Sequence, residues 1–118
     1  MQRFNSELFY DSHINKIENN VNIMLFYISH VEIEENILTD VIVEFHGVKS
    51  ITINDIPSDK IIQKGEYGKI LNFSEKPNSA NICVDWRSFS PNRNETDIYD
   101  ISFDKIYYQI SEKYYNID

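Results

Sequence analysis

The chain has 118 residues, of which 42% are hydrophobic and 14% aromatic, and its formal net charge at pH 7 is −8. This composition supplies enough apolar surface for a packed core, so it argues against an intrinsically disordered chain and predicts a single domain spanning residues 1–118. The negative charge argues against binding to nucleic acid or to an anionic membrane, since both would be repelled, and it favours a cationic partner.

The residue types indicate a mainly β fold, with α+β character only at its margin. Ile, Val, Tyr and Phe are abundant and there is one Ala, a composition that suits a pleated, half-buried surface. From the N-terminus, Arg3 to Asp11 predicts a short amphipathic helix with Phe4 and Leu8 on one side. A strand follows at 14–18, and Asn19-Asn20 predicts the turn of a first hairpin, because Asn tolerates left-handed turn conformations.

The next part of the chain predicts long strands. Residues Val21 to Val31 are apolar in both registers, as in a central strand that is covered on both faces. Glu34-Glu35-Asn36 then turns the chain into a strand in which Val41 to Phe45 alternate between a core face and a mixed face. Gly47 predicts a bulge or a bend before another strand at 48–53.

The second half of the chain predicts turns and three further strands. Loop or turn composition occurs at 55–59, 76–79 and 90–94. Lys60 to Gln63 predicts one short helical turn, and a weaker strand covers Tyr67 to Phe73. Alternation predicts strands with one wet face at 82–86 and 106–110. We therefore expect a single antiparallel sheet, curled or folded into a sandwich, with one or two short helices.

The cysteine content and the hydropathy pattern predict a cytoplasmic protein. Cys83 is the only cysteine, so the chain has no internal disulfide, which fits a reducing compartment. Residues 1–12 are too polar for a secretory signal, and the longest apolar stretch, 23–28, is too short for a membrane span. We expect no membrane association.

Acidic residues gather in two segments, 32–40 and 95–104, and neither segment contains Lys or Arg. Together they hold Glu32, Glu34, Glu35, Asp40, Glu95, Asp97, Asp100 and Asp104. Lysines instead collect in the middle of the chain, at positions 60, 64, 69 and 76. We expect the acidic segments to stay unpaired and to form a partner-binding surface, with a merely solvated face as the alternative.

No motif predicts catalysis or metal binding. His13, His30 and His46 lack ligand spacing, and the acidic segments lack the pattern of a calcium loop. Asp11-Ser12-His13 superficially matches the residue types of a catalytic triad, but neighbours in sequence do not make triad geometry. We therefore predict a protein that is not an enzyme and binds no cofactor or metal.

Two stretches carry a family resemblance: residues 9–17, Phe-Tyr-Asp-Ser-His-Ile-Asn-Lys-Ile, and residues 43–48, Val-Glu-Phe-His-Gly-Val. They resemble the F-x-D-S-x-I-x-x-I opening and the V-x-F-x-G-V strand of small bacterial β-rich proteins. These include immunity proteins of polymorphic toxin and contact-dependent growth inhibition systems. The resemblance covers about half of the chain, and it implies a protein that binds one cognate toxin tightly in the cytosol and catalyses nothing.

The resemblance and the charge pattern together give a functional hypothesis. An acidic immunity protein can occupy the cationic face of a nuclease toxin, so we expect inhibition by steric and electrostatic occlusion. The expected contact residues are Glu32, Glu34, Glu35, Asp40, Glu95, Asp97 and Asp100, with a nearby aromatic, Tyr99 or Tyr107. Two alternatives stay open: an adaptor or structural domain that binds another protein, and a small hydrolase, which would require histidines and carboxylates to converge in a pocket.

Overall fold

The structure is a computed structural model that describes residues 5–89 and 92–116. In these ranges the chain forms nine β-strands and a single 3₁₀ turn, η1. The elements are η1 (Ser6–Phe9), β1 (His13–Asn20), β2 (Ile23–Glu34), β3 (Ile37–His46), β4 (Ser50–Ile53), β5 (Ile56–Ser58), β6 (Tyr67–Lys76), β7 (Ser79–Phe89), β8 (Asn92–Ser102) and β9 (Lys105–Asn116). No helix in the described ranges is long and apolar enough to cross a membrane.

All nine strands belong to one antiparallel sheet with the order β5-β4-β8-β7-β6-β1-β2-β3-β9, and the sheet does not close into a barrel. The prediction of a mainly β fold with one antiparallel sheet is therefore confirmed. β1 and β6 pair only through His13 with Lys69 and Ile14 with Gly68. This narrow junction joins two well-paired halves, β5-β4-β8-β7-β6 and β1-β2-β3-β9.

The two halves of the sheet share one hydrophobic core. Phe45 on β3 lies at its centre and is fully buried, with its ring centroid 5.4 Å from those of Phe26 and Phe103. The alternation predicted around it holds, because Val41 and Val43 are buried as well. On the other half, the buried residues Ile82, Val84 and Trp86 alternate in the same way along β7.

Gly47 follows the last residue of β3, and after it the chain enters β4 in the other half of the sheet. Its φ of +66° is in the left-handed region, and a Cβ there would lie 2.2 Å from the Asp104 carboxylate. The Gly47 amide donates to the Asn22 carbonyl at 2.7 Å. Two residues later the Lys49 amide donates to the Ser102 carbonyl at 2.8 Å, which starts the pairing of β4 with β8. The bend predicted at this glycine is therefore confirmed.

The first hairpin turns later than the sequence predicts. Asn19 and Asn20 are the last residues of β1, and the turn falls at Val21 and Asn22, where Asn22 has a φ of +61°. Val21 is 89% exposed and is not part of the central strand. The Asn19 side chain instead binds a distant segment. Its Nδ2 donates to the Ile61 carbonyl at 3.0 Å, and its Oδ1 accepts from the Ile61 backbone amide at 3.4 Å.

Three further local predictions need correction. The helical turn at 60–63 does not form, because Ile61 is fully buried in the core and is held in a non-helical conformation by Asn19. Ile56–Ser58, predicted as part of a turn, is the short strand β5 and pairs with β4. The predicted loop at 90–94 gives way to β8 from Asn92, while Ser90 and Pro91 are outside the described residues. The predicted N-terminal helix appears only as η1, and Arg3 and Phe4 are outside the described residues.

The central position of Phe45 gives a stability prediction. Phe45→Ala should lower the free energy of unfolding by about 3 to 5 kcal/mol, because it removes a fully buried ring that packs against Phe26 and Phe103. Urea denaturation at neutral pH measures the change. Val21→Ala is the matched control and should have almost no effect; a mild effect of Phe45→Ala would show that the core face is misassigned.

Candidate protein-binding face

The second acidic segment contains a buried polar network. Asp97 is 1% exposed and Tyr99 is fully buried, with both side chains inside the sheet. The Trp86 indole donates to the Tyr99 hydroxyl at 2.6 Å, and this hydroxyl donates to Asp97 Oδ2 at 3.2 Å. Burial is the main cause that raises the pKa of Tyr99, so its hydroxyl remains a donor at physiological pH.

Two further groups complete the environment of the Asp97 carboxylate. Lys64 Nζ lies 2.8 Å from Asp97 Oδ2, and the Asn54 amide donates to Asp97 Oδ1 at 2.9 Å. Asn54 is in the turn between β4 and β5 with a φ of +51°, and its side-chain oxygen accepts from the Ile98 amide at 2.8 Å. Both carboxylate oxygens are thus hydrogen-bonded, which compensates for loss of water.

The expectation that this segment is an unpaired partner surface is therefore wrong for its central residues. Asp97 and Tyr99 cannot touch a partner, because they are buried. Glu95 is exposed, but its carboxylate lies 2.7 Å from Lys64 Nζ. Asp100 accepts from the Asn81 amide at 2.8 Å. In the same way, the Asp104 carboxylate at the end of the segment lies 2.9 Å from Lys49 Nζ.

The first acidic segment lies around the turn between β2 and β3, and we call Glu32, Glu34, Glu35 and Asp40 the acidic hairpin. All four residues are exposed, and Asn36 closes the turn with a φ of +63°. Within the described part of the chain, no hydrogen bond or ion pair engages the carboxylates of Glu32, Glu34 or Glu35. Glu32, Glu34 and Glu35 of the acidic hairpin therefore present their charge to solvent.

The aromatic residues beside the acidic hairpin differ from those expected. Tyr107 is 46% exposed, but it pairs with Glu44 and its ring contacts His46 at 4.8 Å, towards the other end of β3. Tyr114 is 56% exposed and lies opposite Thr39, next to the acidic hairpin. Tyr10, at the end of η1, is 65% exposed.

A groove with a volume of about 400 Å³ opens beside the acidic hairpin. We call it the Tyr10 groove, and it is lined by Tyr10, Asp11, His13, His30, Glu32 and Leu38. Glu32 thus belongs both to the acidic hairpin and to this groove. A second groove on the neighbouring strands includes Tyr27, Ser29 and Asp40 among its lining residues.

The Tyr10 groove has a histidine cluster on one side. The His13 ring centroid lies 4.7 Å from that of His30 and 4.5 Å from that of Tyr67. Burial, the nearby His30 and the charge of Lys69 lower the pKa of His13, so it is uncharged at neutral pH. Lys69 also lies 3.1 Å from the Asp11 carboxylate.

Sequence reasoning missed this histidine pair because it considered spacing along the chain rather than across a hairpin. β1 and β2 pair in a register that places His13 opposite Ser29, and a register irregularity after Ile28 places His30 beside it. His30 has a φ of +61°, a conformation that is uncommon for a residue other than glycine. Placing the first turn at Val21 and Asn22 would have predicted that His13 lies close to Ser29 and His30. No residue pattern in the sequence predicts the register irregularity at His30.

The same groove meets part of the condition for a hydrolase, since two histidines and two carboxylates line it. A triad of Asp11, Ser12 and His13 does not form, however. Ser12 is fully buried and its hydroxyl donates to the Phe9 carbonyl, away from His13. The Asp11 carboxylate contacts Lys69. The arrangement supplies a charged, aromatic recess rather than a nucleophile held by a base.

Comparison of the chain with protein-family profiles, with curated proteins and with solved structures found no match. The fold and the acidic face therefore define the chain at the level of its architecture: an open antiparallel β-sheet protein that presents a charged hairpin beside a groove. The resemblance to immunity proteins stays a prediction.

The buried network predicts that Asp97 is a stability residue. Asp97→Asn should lower the free energy of unfolding by about 2 to 4 kcal/mol, because it removes the charge that holds Lys64 and disturbs the hydrogen bonds to Tyr99 and Asn54. Chemical denaturation measures this change. Asp100→Asn, an exposed substitution in the same strand, should change stability by less than about 0.5 kcal/mol, and equal effects would contradict the assignment.

The ion pairs of Lys64 make the stability of the protein depend on pH, and this contribution falls at high pH. Its hydrogen bonds to Asp97 and Glu95 raise the pKa of its ammonium group above the ordinary value of 10.5. A raised pKa in the folded state stabilises the protein fully below the unfolded-state pKa, and that contribution is lost as the pH rises through the folded-state pKa. Lys64→Met should therefore destabilise the protein throughout the neutral range, and the difference from wild type should shrink as the pH rises above 10.5.

Denaturation of both proteins across the pH range measures this difference. Lys60→Met is the control, because Lys60 is an exposed lysine close in the chain, and it should show little difference at any pH. A difference between wild type and Lys64→Met that is absent at neutral pH, or that stays unchanged as the pH rises well above 10.5, would contradict the ion-pair assignment.

Proposed function

We propose that this chain is a binding protein that neutralises a cognate toxin, and that the toxin presents a cationic surface such as the active face of a nuclease domain. The observation that carries the proposal is the acidic hairpin. Glu32, Glu34 and Glu35 are exposed without ion pairs in the described chain, whereas Glu95 and Asp97 in the other acidic segment share Lys64. Of the two acidic segments, the acidic hairpin therefore leaves more charge available to a partner.

The setting of the acidic hairpin supports protein binding rather than simple solvation. Tyr10 and Tyr114 are exposed beside it, and tyrosine is enriched at the energetic centres of interfaces. The Tyr10 groove supplies a recess next to these charges. A rim of carboxylates around aromatic side chains suits a partner whose own surface is basic.

Inhibition would follow from occupancy. A nuclease holds phosphates on a cationic face, so an acidic protein that covers this face excludes the substrate both sterically and by taking up its charge. Electrostatic attraction between the two proteins also speeds their encounter, and the effect falls as salt screens the charges. Fast capture matters for a toxin that acts at low copy number.

An adaptor domain is the second candidate, and the edge strand β9 favours it. Tyr107, Ile110 and Tyr114 on this strand are each more than 40% exposed, and they offer apolar contact area along a sheet edge. Binding through β9 would depend little on salt, because apolar burial is insensitive to charge screening. Salt dependence therefore separates the two candidates.

The experiment that tests the proposal has two steps. Cells express a toxic domain encoded immediately upstream of this chain, with and without the chain, and survival is scored. The purified pair is then tested for binding at low and high salt. Rescue together with salt-sensitive binding supports the proposal; absence of both rescue and a complex overturns it.

Charge reversal in the acidic hairpin gives a sharper prediction. Replacing Glu34 and Glu35 together by Lys should slow association with the toxin by at least about tenfold at low salt, and the loss should diminish as salt increases. Stopped-flow or surface-based kinetics measure the association rate. The fold should persist, since both side chains are exposed.

The matched control reverses Asp59 and Glu66, two exposed acidic residues outside the acidic hairpin, and gives the same change in net charge. If association depends on position, this control should slow it much less. Equal slowing by both double variants would show that net charge alone governs the encounter and would remove the acidic hairpin from the mechanism.

A further inference from the structure

The residues that line the Tyr10 groove favour a cationic side chain over an anionic one. Its acidic lining residues are Asp11 and Glu32, and none of its described lining residues is a lysine or arginine. An anionic group entering it would meet two carboxylates. A cationic group would pair with these carboxylates. It would also contact the exposed ring of Tyr10 and the apolar side chain of Leu38, which is 8% exposed.

We infer that the Tyr10 groove receives an arginine side chain of the toxin as the anchor of the complex. This inference rests on the proposed function and names the chemistry by which the same face recognises its partner. The methylene groups of the arginine would pack against Leu38, and its planar guanidinium would lie against Tyr10 and bind Glu32 through paired hydrogen bonds.

Glu32 is the carboxylate best placed for that role. Asp11 already has Lys69 3.1 Å from its carboxylate, whereas no hydrogen bond or ion pair engages Glu32 within the described chain. His13 and His30 also line the groove, with their rings tilted by 42° and their centroids 4.7 Å apart. Arginine fits this arrangement better than lysine, because the guanidinium stacks on aromatic rings and pairs with a carboxylate in a fixed geometry.

The test begins with a probe that does not depend on the toxin. N-acetyl-arginine N-methylamide is titrated into the ¹⁵N-labelled chain and followed by two-dimensional NMR, which detects weak binding residue by residue. We expect saturable shifts centred on Tyr10, His30 and Glu32. The neutral isostere N-acetyl-citrulline N-methylamide should bind about tenfold more weakly, because it lacks the charge that pairs with Glu32.

Two variants locate the site. Glu32→Gln and Tyr10→Ala should each weaken the arginine probe, and both side chains are exposed, so the dispersion of the spectrum should show an intact fold. Glu66→Gln is the matched control and should leave binding unchanged. Shifts that are equal for arginine and citrulline, that spread over the whole acidic surface, or that fail to appear overturn the inference.

Cell survival separates this inference from the proposed function. If wild type rescues cells and the Glu32→Gln and Tyr10→Ala variants rescue equally well at limiting expression, the arginine anchor is wrong and toxin neutralisation stands. If arginine binds the groove as expected but wild type gives no rescue and no complex, the groove chemistry stands and the proposed function is overturned. Loss of rescue in both variants, with Glu66→Gln active, supports both.

Discussion

The buried carboxylate of Asp97 is the constraint on which the arrangement of the acidic residues depends. An ionised group inside a protein is costly unless its charge and its lone pairs are satisfied. Here Lys64, Tyr99 and Asn54 satisfy them, and each comes from a different segment of the chain. The need to keep these partners around one carboxylate fixes the β4–β5 turn and the segment that carries Lys64 against β8.

The two acidic segments look alike in sequence, but they have different environments in the fold. The segment 95–104 lies mostly in β8, where Asp97 and Tyr99 are buried. Lys64 forms ion pairs with Glu95 and Asp97, and Lys49 forms one with Asp104. The other lies at the β2–β3 turn, where Glu32, Glu34 and Glu35 are exposed to solvent. The same residue type is thus held in a buried polar network at one place and exposed to solvent at the other. The net charge of −8 alone would not reveal this division.

The Tyr10 groove depends on the other critical feature of the fold, the narrow junction between β1 and β6. Two ladder pairs join β1 to β6 there, one of which includes His13, and backbone hydrogen bonds link Ile70 to the residues just before β1. The junction brings η1, the start of β1 and the far end of β2 together, so Tyr10, His13, His30 and Glu32 line one recess. A recess beside a charged hairpin is a form of surface that suits a basic partner, because charge and shape act together.

The sequence by itself determined the fold class and much of the core. Alternation placed Val41, Val43 and Phe45 on β3, and Ile82, Val84 and Trp86 on β7, with the correct faces inward, because residues two apart in a strand share a face. The sequence also predicted the turn at Glu34-Glu35-Asn36, which lies between β2 and β3. These features follow from local periodicity and turn chemistry, which short stretches of sequence carry.

Only the tertiary structure decided which charged and polar residues are buried. Asp97 and Tyr99 alternate with exposed neighbours just as a surface strand would, and nothing local shows that Trp86, Asn54 and Lys64 meet them. The first hairpin turns after Asn20, and the Asn19 side chain binds Ile61, a residue 42 positions away. The histidine pair likewise needed the register of that hairpin. Such contacts depend on long-range packing, because a polar residue goes inside only where distant partners satisfy it.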